Sequence, residues 1–249
     1  MLLSVILEGG SPMALLNVPA GVIVLGGTLG ATLIAYPFSY VVGLPKYLMR
    51  AILDRPLDAT RTIESFVDLA DKARREGLLA LEREVDGLEP FERKGLMMVV
   101  DGTDPSVVRE VMETEIEGIQ ERHRASYGTL EAMGGFAPTM GIIGTVMGLV
   151  NVLQKLEDPT ALAHSIAVAF IATLYGVTTA NLLWLPLASK LKQKSELEVS
   201  VRELTIEAVM SVQAGDNPRL VREKLEARLP AGKRNVPRPA AAATAAGEA

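Results

Sequence analysis

Residues 134–150 read GGFAPTMGIIGTVMGLV, and residues 165–186 read SIAVAFIATLYGVTTANLLWLP. At about 100° per residue, each segment forms a helix with a stripe of small side chains along one face. The stripes consist of Ala137, Gly141, Gly144 and Gly148 in the first helix and of Ser165, Ala169, Ala172, Gly176 and Ala180 in the second. Thr145 and Thr173 lie at the edges of these stripes. Because small residues let helices approach closely in lipid, the pattern predicts membrane helices that pack against other membrane helices, with two hydroxyl groups where an ion path could run.

The composition is typical of a membrane protein with water-exposed parts. Hydrophobic residues make up 49% of the 249 residues and charged residues 22%, and the mean hydropathy is +0.25. The charged residues are confined to two blocks, which indicates that the chain alternates between membrane and water. The chain has no cysteine, which excludes disulfides and thiolate metal sites, and its net charge of -5 argues against nucleic-acid partners. No metal-ligand spacing or phosphate-binding glycine loop occurs, so the sequence predicts neither a metal site nor a cofactor.

Three segments are long enough to cross a bilayer, which takes about 20 apolar residues. They run from Pro19 to Leu44, from Ala132 to Leu153 and from Ala161 to Ala188. Basic residues near their ends set the orientation, because cytoplasmic flanks carry the excess of lysine and arginine. These residues are Lys46, Arg50, Arg55, Arg122, Arg124, Lys190, Lys192 and Lys194. We therefore expect residues 44–131 and those after Ser189 in the cytoplasm, and the connection 154–160 on the outer side.

The chain begins with an apolar stretch, residues 1–7, that is too short to span a membrane. It lacks the basic region of a signal peptide, and the turn-forming residues 9–12 follow it. One interpretation is a short interfacial segment. The interpretation that we favour is the end of a first transmembrane helix whose beginning is missing from this sequence. The predicted fold class is an all-α integral membrane protein with three visible transmembrane helices, a truncated fourth at the N-terminus and a helical cytoplasmic domain.

The segments outside the spans are predicted to be largely helical. Apolar residues recur at helical spacing in residues 58–76, and Asp104 before Pro105 is a typical N-cap for a long helix that leads into the second span. The helix of the third span is expected to continue to Val212 and to end near Gly215. The predicted organisation is a remnant of the first span with an outer loop (1–17), a transmembrane helix (18–45), a cytoplasmic helical domain (46–131), a transmembrane helix pair (132–189), a cytoplasmic helical tail (190–229) and a disordered tail (230–249).

None of the three spans contains an aspartate or a glutamate. An ion-translocating protein usually needs an ionisable or oxygen-rich site at membrane depth. These spans offer only hydroxyls, amides and backbone carbonyls, so the chain either conducts no ion or receives its carboxylate from a partner. Thr145 and Thr173 could also bond only to their own helices, which is the common role of threonine there. An enzyme is not expected, because no nucleophile–base pair or carboxylate pair is placed for catalysis.

The chain resembles the MotA/PomA family of flagellar stator proteins, within the MotA/TolQ/ExbB superfamily. In the membrane segments, the resemblance rests on VLGGTLGA (24–31) for the second helix of that family, on residues 134–150 for the third, and on residues 172–181 with 185–191 for the fourth. Outside the membrane, it rests on ARREGLLALE (73–82), which resembles the charged segment that meets the rotor, and on QAGDNP (213–218), which resembles the C-terminal signature. The similarity extends from about Gly9 to Leu229.

Two alternatives to a stator subunit are open at this point. ExbB and TolQ are proton-channel subunits that energise outer-membrane processes, and they share weaker forms of the third- and fourth-helix motifs. They also have three spans, as this chain shows. A structural membrane scaffold without ion flux is the other alternative. The stretches 24–31 and 74–82 are more specific to stators and favour the flagellar family.

The resemblance implies a multi-pass protein of the bacterial inner membrane and a mechanism. Stator proteins of this family form a ring, expected to be a pentamer, around a MotB- or PomB-like single-span partner. The aspartate of that partner carries the ion, which fits the absence of carboxylates from the spans. The ring turns, and its cytoplasmic charges push the rotor protein FliG. The resemblance implies no cofactor besides the transported ion, which is sodium or a proton.

The pattern and the resemblance together assign roles to individual residues. They are Thr145 and Thr173 for the ion path, Pro138 and Pro186 for helix kinks in a conformational change, Gly141, Gly144, Gly148 and Gly176 for packing in the ring, and Arg74, Arg75, Glu76 and Glu82 for the rotor contact. The small residues are expected to face a neighbouring subunit or the partner. The alternative for the charged residues is that they only form a solvated surface of a helix. The alternative for the two prolines is that they are ordinary prolines of membrane helices without a role in movement. Threonine at both ion-path positions resembles sodium-type stators, so we expect sodium rather than protons.

Overall fold

The structure, a computed structural model, describes residues 7, 9, 12–53, 57–153 and 159–229 of the chain. Within these ranges all regular elements are helical. The chain divides into two units, a membrane unit of residues 1–54 and 121–194 and a polar unit of residues 55–120 and 195–249. The sequence-based predictions for residues 1–6, for the connection 154–158 and for the tail 230–249 lie outside the described residues.

The described helices vary widely in length. They are α1 (Val18–Ala35), α2 (Phe38–Val42), α3 (Leu44–Leu53), α4 (Ala59–Glu76), α5 (Pro90–Val100), α6 (Pro105–Leu153), α7 (Pro159–Thr179), α8 (Leu185–Gln213) and α9 (Pro218–Glu226). Short 3-10 turns cover Pro12–Leu15, Leu78–Arg83 and Val85–Gly87, and π-helical turns cover Val22–Gly26 within α1 and Ala180–Trp184 between α7 and α8. Three helical stretches, in α1, in α6 and in α7–α8, are long and apolar enough to cross a membrane. The predicted all-α membrane fold is confirmed.

The first span is shorter than the sequence pattern suggested. We expected a helix from Pro19 to Leu44, but α1 ends at Ala35. Tyr36 is extended, with φ −129° and ψ 151°. The reason is the following residue, Pro37, whose ring disfavours the helical conformation of the residue before it. The apolar run continues beyond the break, which is why hydropathy alone did not show the end of the helix.

The membrane unit is held together by small apolar clusters and by tyrosine hydrogen bonds. One cluster joins α1 to α7 through Ala20, Val24 and Ala172. Beyond the end of α1, the hydroxyl of Tyr36 donates to the carbonyl of Gly128 in α6, at 3.1 Å. Much of the unit's surface remains apolar; Ile34 in α1, for example, is 91% exposed. Such a surface suits lipid or neighbouring membrane helices rather than water.

The polar unit has one large hydrophobic core. Its fully buried side chains include Phe66 of α4, Leu96 of α5, Met112 of α6, Val209 of α8 and Leu225 of α9. The helices α4, α5 and α9 are therefore bound to the segments of α6 and α8 that belong to this unit. The helical spacing seen in residues 58–76 and the predicted continuation of the third span to Val212 correspond to α4 and α8.

The start of α6 follows the prediction made from Asp104 and Pro105. Pro105 is the first helical residue, and the Oδ1 atom of Asp104 accepts from the backbone N–H of Ser106 at 2.8 Å and from its hydroxyl at 2.6 Å. These hydrogen bonds hold the pKa of Asp104 below its ordinary value of 3.8. A carboxylate at this place also interacts favourably with the positive end of the helix dipole.

We expect the cap to weaken in acid. Because the folded-state pKa of Asp104 is lowered, its contribution is present above the ordinary pKa and is lost as the pH falls through the folded value. Hydrogen exchange of the first amides of α6 should show this in comparison with Asp104→Asn, which keeps the accepting oxygen but does not titrate. The protection that the wild type has over Asp104→Asn should shrink in acid. An unchanged difference between the two proteins down to pH 2 would contradict the prediction.

Candidate functional site

The helices α6 and α7 contact each other through their glycines. A Cβ atom on Gly176 would lie 2.6 Å from the carbonyl oxygen of Ala137 and 3.1 Å from the Cα atom of Gly141. A Cβ atom on Gly141 would likewise lie 2.9 Å from the carbonyl oxygen of Ala172. These neighbours are backbone atoms, which cannot move without moving the helix. The two helix backbones are therefore in direct contact, because no side chain lies between them at these glycines.

The other two glycines of the α6 stripe face the same helix. A Cβ atom on Gly144 would meet the Cβ atom of Ala172 at 2.8 Å, and one on Gly148 would meet that of Ala169 at 2.7 Å. The sequence placed all four glycines against a neighbouring subunit or a partner. The structure instead places them between two helices of one chain. A contact of these glycines with another subunit stays a prediction about the assembly.

Beside this contact lies a cluster of four oxygen atoms. The hydroxyl of Thr145 lies 3.0 Å from the carbonyl oxygen of Ala169 and 3.1 Å from that of Gly141. The hydroxyl of Thr173 is in direct contact with that of Thr145 and lies 3.5 Å from the carbonyl oxygen of Gly141. The two threonines that the sequence placed at matching stripe edges are thus brought together. We call this group the oxygen cluster: the side-chain oxygens of Thr145 and Thr173 and the carbonyl oxygens of Gly141 and Ala169.

The two threonine hydroxyls have more oxygen neighbours than they can donate to. Each threonine hydroxyl can donate only one hydrogen bond at a time, so it cannot donate to every oxygen that lies near it. The bond from Thr145 to Gly141 is the ordinary bond of a threonine to its own helix. The contacts to Ala169 and Thr173 cross to the other helix, and the ordinary role does not require them. Both threonine side chains are half-buried, so a cation that has lost part of its water shell would find oxygen ligands here.

The two helical segments that form this site supply no charge to it. The segments 134–153 and 165–189 contain no aspartate, glutamate, lysine or arginine. Among the described residues, no group of three or more His, Cys, Asp or Glu side chains could hold a metal ion. The site can therefore solvate a cation with neutral oxygens but cannot neutralise it.

The two prolines occupy different surroundings. Pro138 lies inside α6, where it removes one backbone hydrogen bond, and its Cα atom would be 3.2 Å from a Cβ atom on Gly176. Pro186 follows the π-helical turn Ala180–Trp184, in which the N–H of Leu185 bonds to the carbonyl of Ala180. A wider turn before a proline makes room for its ring, which would otherwise collide with a carbonyl of the preceding turn. Both prolines thus lie where the helix backbone is locally altered; their movement during function stays a prediction.

Sequence reasoning missed a polar link between α7 and the N-terminal segment. The hydroxyl of Tyr175 donates to the carbonyl of Leu15 at 2.6 Å and accepts from the N–H of Asn17 at 3.1 Å. The ring of Tyr175 also borders Gly21 of α1. A tyrosine amid small residues in a span was the available signal, since a tyrosine hydroxyl at membrane depth requires a partner.

The four predicted rotor-facing residues lie at the end of α4 and in the turn after it. Arg74, Arg75 and Glu76 are the last charged residues of α4, and Glu82 belongs to the 3-10 turn Leu78–Arg83. All four side chains are exposed. Arg75 forms an ion pair with Asp71 one turn earlier. Among the described residues no ion pair involves the other three, so their charges are available to a partner.

Comparisons with known proteins identify the family of this chain. A family model described as the MotA/TolQ/ExbB proton channel family matches residues 83–204. Motility protein A of Bacillus subtilis is 39% identical over 232 residues, which cover 92% of this chain and 86% of that protein. Chemotaxis protein PomA of Vibrio alginolyticus is 36% identical over 226 residues, which cover 91% of this chain and 89% of that protein.

Solved structures of stator complexes have the same fold. The flagellar MotAB stator complex from Bacillus subtilis matches with a TM-score of 0.86 at 38% identity, over 94% of this chain and 93% of that chain. MotAB of C. jejuni matches with a TM-score of 0.88 at 29% identity, over 95% of this chain and 93% of that chain. These matches favour a stator over the ExbB/TolQ alternative. The chain therefore belongs to the MotA/PomA family and is an ion-channel stator subunit of the flagellar motor, located in the bacterial inner membrane.

Proposed function

We propose that this chain forms a sodium-conducting torque generator together with a MotB- or PomB-like single-span protein. The observation that carries the proposal is the oxygen cluster, which can solvate a cation but holds no carboxylate. A carboxylate from a partner helix would supply the missing charge. The similarity to chains of MotAB complexes supports such a partner. The chain acts as a channel rather than an enzyme and needs no cofactor besides the ion.

The proposed assembly is a ring of five copies around the partner helices, embedded in membrane lipid. When the ion binds, it neutralises the partner's carboxylate, and a neutral group costs less to move along an apolar wall than a charged one. The ring then turns about the partner. Pro138 and Pro186 provide places where α6 and the α7–α8 helix can change direction during this movement, because proline interrupts the backbone hydrogen-bond pattern.

The proposed contact with the rotor protein FliG is electrostatic. Arg74, Arg75, Glu76 and Glu82 are exposed at the end of α4 and in the following turn. Complementary charges on two surfaces steer encounter and fix the register of docking, even when each exposed pair adds little affinity. The alternative, a face that only keeps the unit in solution, predicts that charge reversal there has no effect on torque.

The choice of sodium follows from the number of ligands. Sodium sheds water only where several oxygens replace it, and the oxygen cluster offers two hydroxyls and two carbonyls. A proton needs a single acceptor, for which no such cluster is required. The matching family model is described by proton conduction, so the coupling ion of this chain has to be decided by measurement.

We expect cells whose only stator contains this chain to swim faster as external sodium rises at fixed pH. Thr145→Val and Thr173→Val each remove one hydroxyl of the oxygen cluster at nearly constant shape. Each should raise the sodium concentration for half-maximal speed by about tenfold, as expected when about 1.4 kcal/mol of ion binding is lost. The measurement is swimming speed against sodium concentration, with potassium holding the ionic strength constant.

Thr139→Val is the matched control for these variants. Thr139 lies in α6, as Thr145 does, but Thr139 is exposed and its hydroxyl bonds to the carbonyl of Phe136 in its own helix at 2.7 Å. Its loss should leave the sodium dependence unchanged. Swimming that is independent of sodium but abolished by a protonophore would overturn sodium coupling. Thr145 and Thr173 would then be packing residues.

A further inference from the structure

Leu79 is an exposed apolar side chain in the middle of the charged segment. It is 74% exposed, more than any other large apolar side chain in the described part of the polar unit. Single exposed leucines are ordinary on protein surfaces and need no explanation by themselves. Leu79 requires an explanation because the backbone fixes its position and because charged residues lie on both sides of it.

The backbone presents Leu79 on an anchored turn. Gly77 ends α4 with φ +88°, a conformation that side-chain-bearing residues rarely adopt. The N–H of Ala80 bonds back to the carbonyl of Gly77 at 3.2 Å. Leu78 packs against the core of the unit, and Leu81 is fully buried in it. Because Leu78 and Leu81 are anchored in the core and Ala80 bonds back to Gly77, Leu79 points to solvent from a fixed turn rather than from a loose loop.

Unneutralised charges lie on both sides of this turn. Arg74 and Glu76 precede it and Glu82 and Arg83 end it, and all four are exposed. Other charges of the segment are already used within the chain, since Lys72 pairs with Glu84 and Arg75 with Asp71. Among the described residues, no ion pair engages Arg74, Glu76, Glu82 or Arg83.

We propose that Leu79 is the apolar anchor of the rotor contact. The occupant is a surface of the rotor protein with an apolar pocket that has an acidic and a basic group on each side, because each side of Leu79 carries an exposed arginine and an exposed glutamate. This inference rests on the proposed function and adds the apolar component that the charges lack. Exposed ion pairs set register but contribute little affinity, whereas the desolvated centre of an interface is apolar.

The test uses motors driven by the complete stator complex in cells without another stator. Leu79→Ala should lower the torque per stator unit, measured with a bead on the filament, by at least about threefold, and Leu79→Lys should lower it further. Leu79→Met should retain wild-type torque because it preserves apolar area. Sodium uptake through the complex and the size of the purified ring should not change in any of the three.

Leu220→Ala is the matched control, because Leu220 is also an exposed leucine among charged residues of the polar unit, in α9. It should have wild-type torque. Wild-type torque in both Leu79→Ala and Leu79→Lys would overturn the proposal, and so would a ring that falls apart, since Leu79 would then contact a neighbouring copy. If charge reversal at Arg74 and Glu82 still impairs torque in that case, the proposed rotor face stands and only the apolar anchor fails. Wild-type torque in every variant would overturn the proposed rotor face as well.

Discussion

Gly176→Ala is expected to abolish motility, although it adds only one methyl group. That methyl carbon would lie 2.6 Å from the carbonyl oxygen of Ala137, 3.1 Å from the Cα atom of Gly141 and 3.2 Å from the Cα atom of Pro138. All three are backbone atoms, so no side-chain rotation relieves the collision. Helices α6 and α7 would have to separate, which would pull the oxygen cluster apart. Overpacking of this kind costs about 1–3 kcal/mol or more.

The matched control is Gly135→Ala, in the same helix as Gly141. A Cβ atom there would meet nothing within 4 Å apart from the adjacent residues and the nearby backbone of its own helix. Alanine is also the better helix former, so this variant should be neutral or slightly stabilising. Swimming in soft agar and the amount of protein in the membrane fraction are measured for both variants. Normal swimming of Gly176→Ala would show that α6 and α7 are not packed as closely as described.

The second large effect is expected from exchanging two charges. The double variant Arg74→Glu with Glu82→Arg should impair torque strongly while the protein inserts and assembles normally. Both side chains are exposed and take part in no ion pair among the described residues, so folding stability should change by no more than about 0.5 kcal/mol. A charge reversal on FliG that restores complementarity should recover part of the torque.

A charge exchange elsewhere on the polar unit is the control for this variant. Arg219 and Glu223 lie one turn apart on α9, at 3.4 Å, and both are exposed. Arg219→Glu with Glu223→Arg reverses the same charges without touching the segment after α4, and torque should be normal. Full torque in the Arg74/Glu82 variant as well would mean that these charges only solvate the surface.

Periodicity predicted the helices well because it records which side chains share a face. The stripe that contains Gly141 and Gly144 and the helix start at Asp104 both follow from local spacing and capping, and both lie as expected. A helical wheel does not show what covers a face. The sequence therefore placed these glycines against a neighbouring subunit or the partner, and it did not show that α7 of the same chain also packs against them.

Other features depend on contacts between residues far apart in the chain. Nothing near Tyr175 in the sequence indicates that its hydroxyl bonds to residues 15 and 17. Likewise, the convergence of Thr145 and Thr173 with two carbonyls requires the distance between two helices, which no local pattern contains. Pro37 was a local signal for the early end of α1. The end was not predicted because apolar residues continue on both sides of Pro37.

The contact between Gly141 and Gly176 also limits how the protein can recover from damage. Every substitution of a glycine introduces a larger residue, so any missense mutation at either position adds atoms to a contact that has no room. Second-site suppressors usually shrink the residue opposite, but here the residue opposite is already glycine. Revertants should therefore restore the original codon or alter more distant residues that let one helix shift along the other.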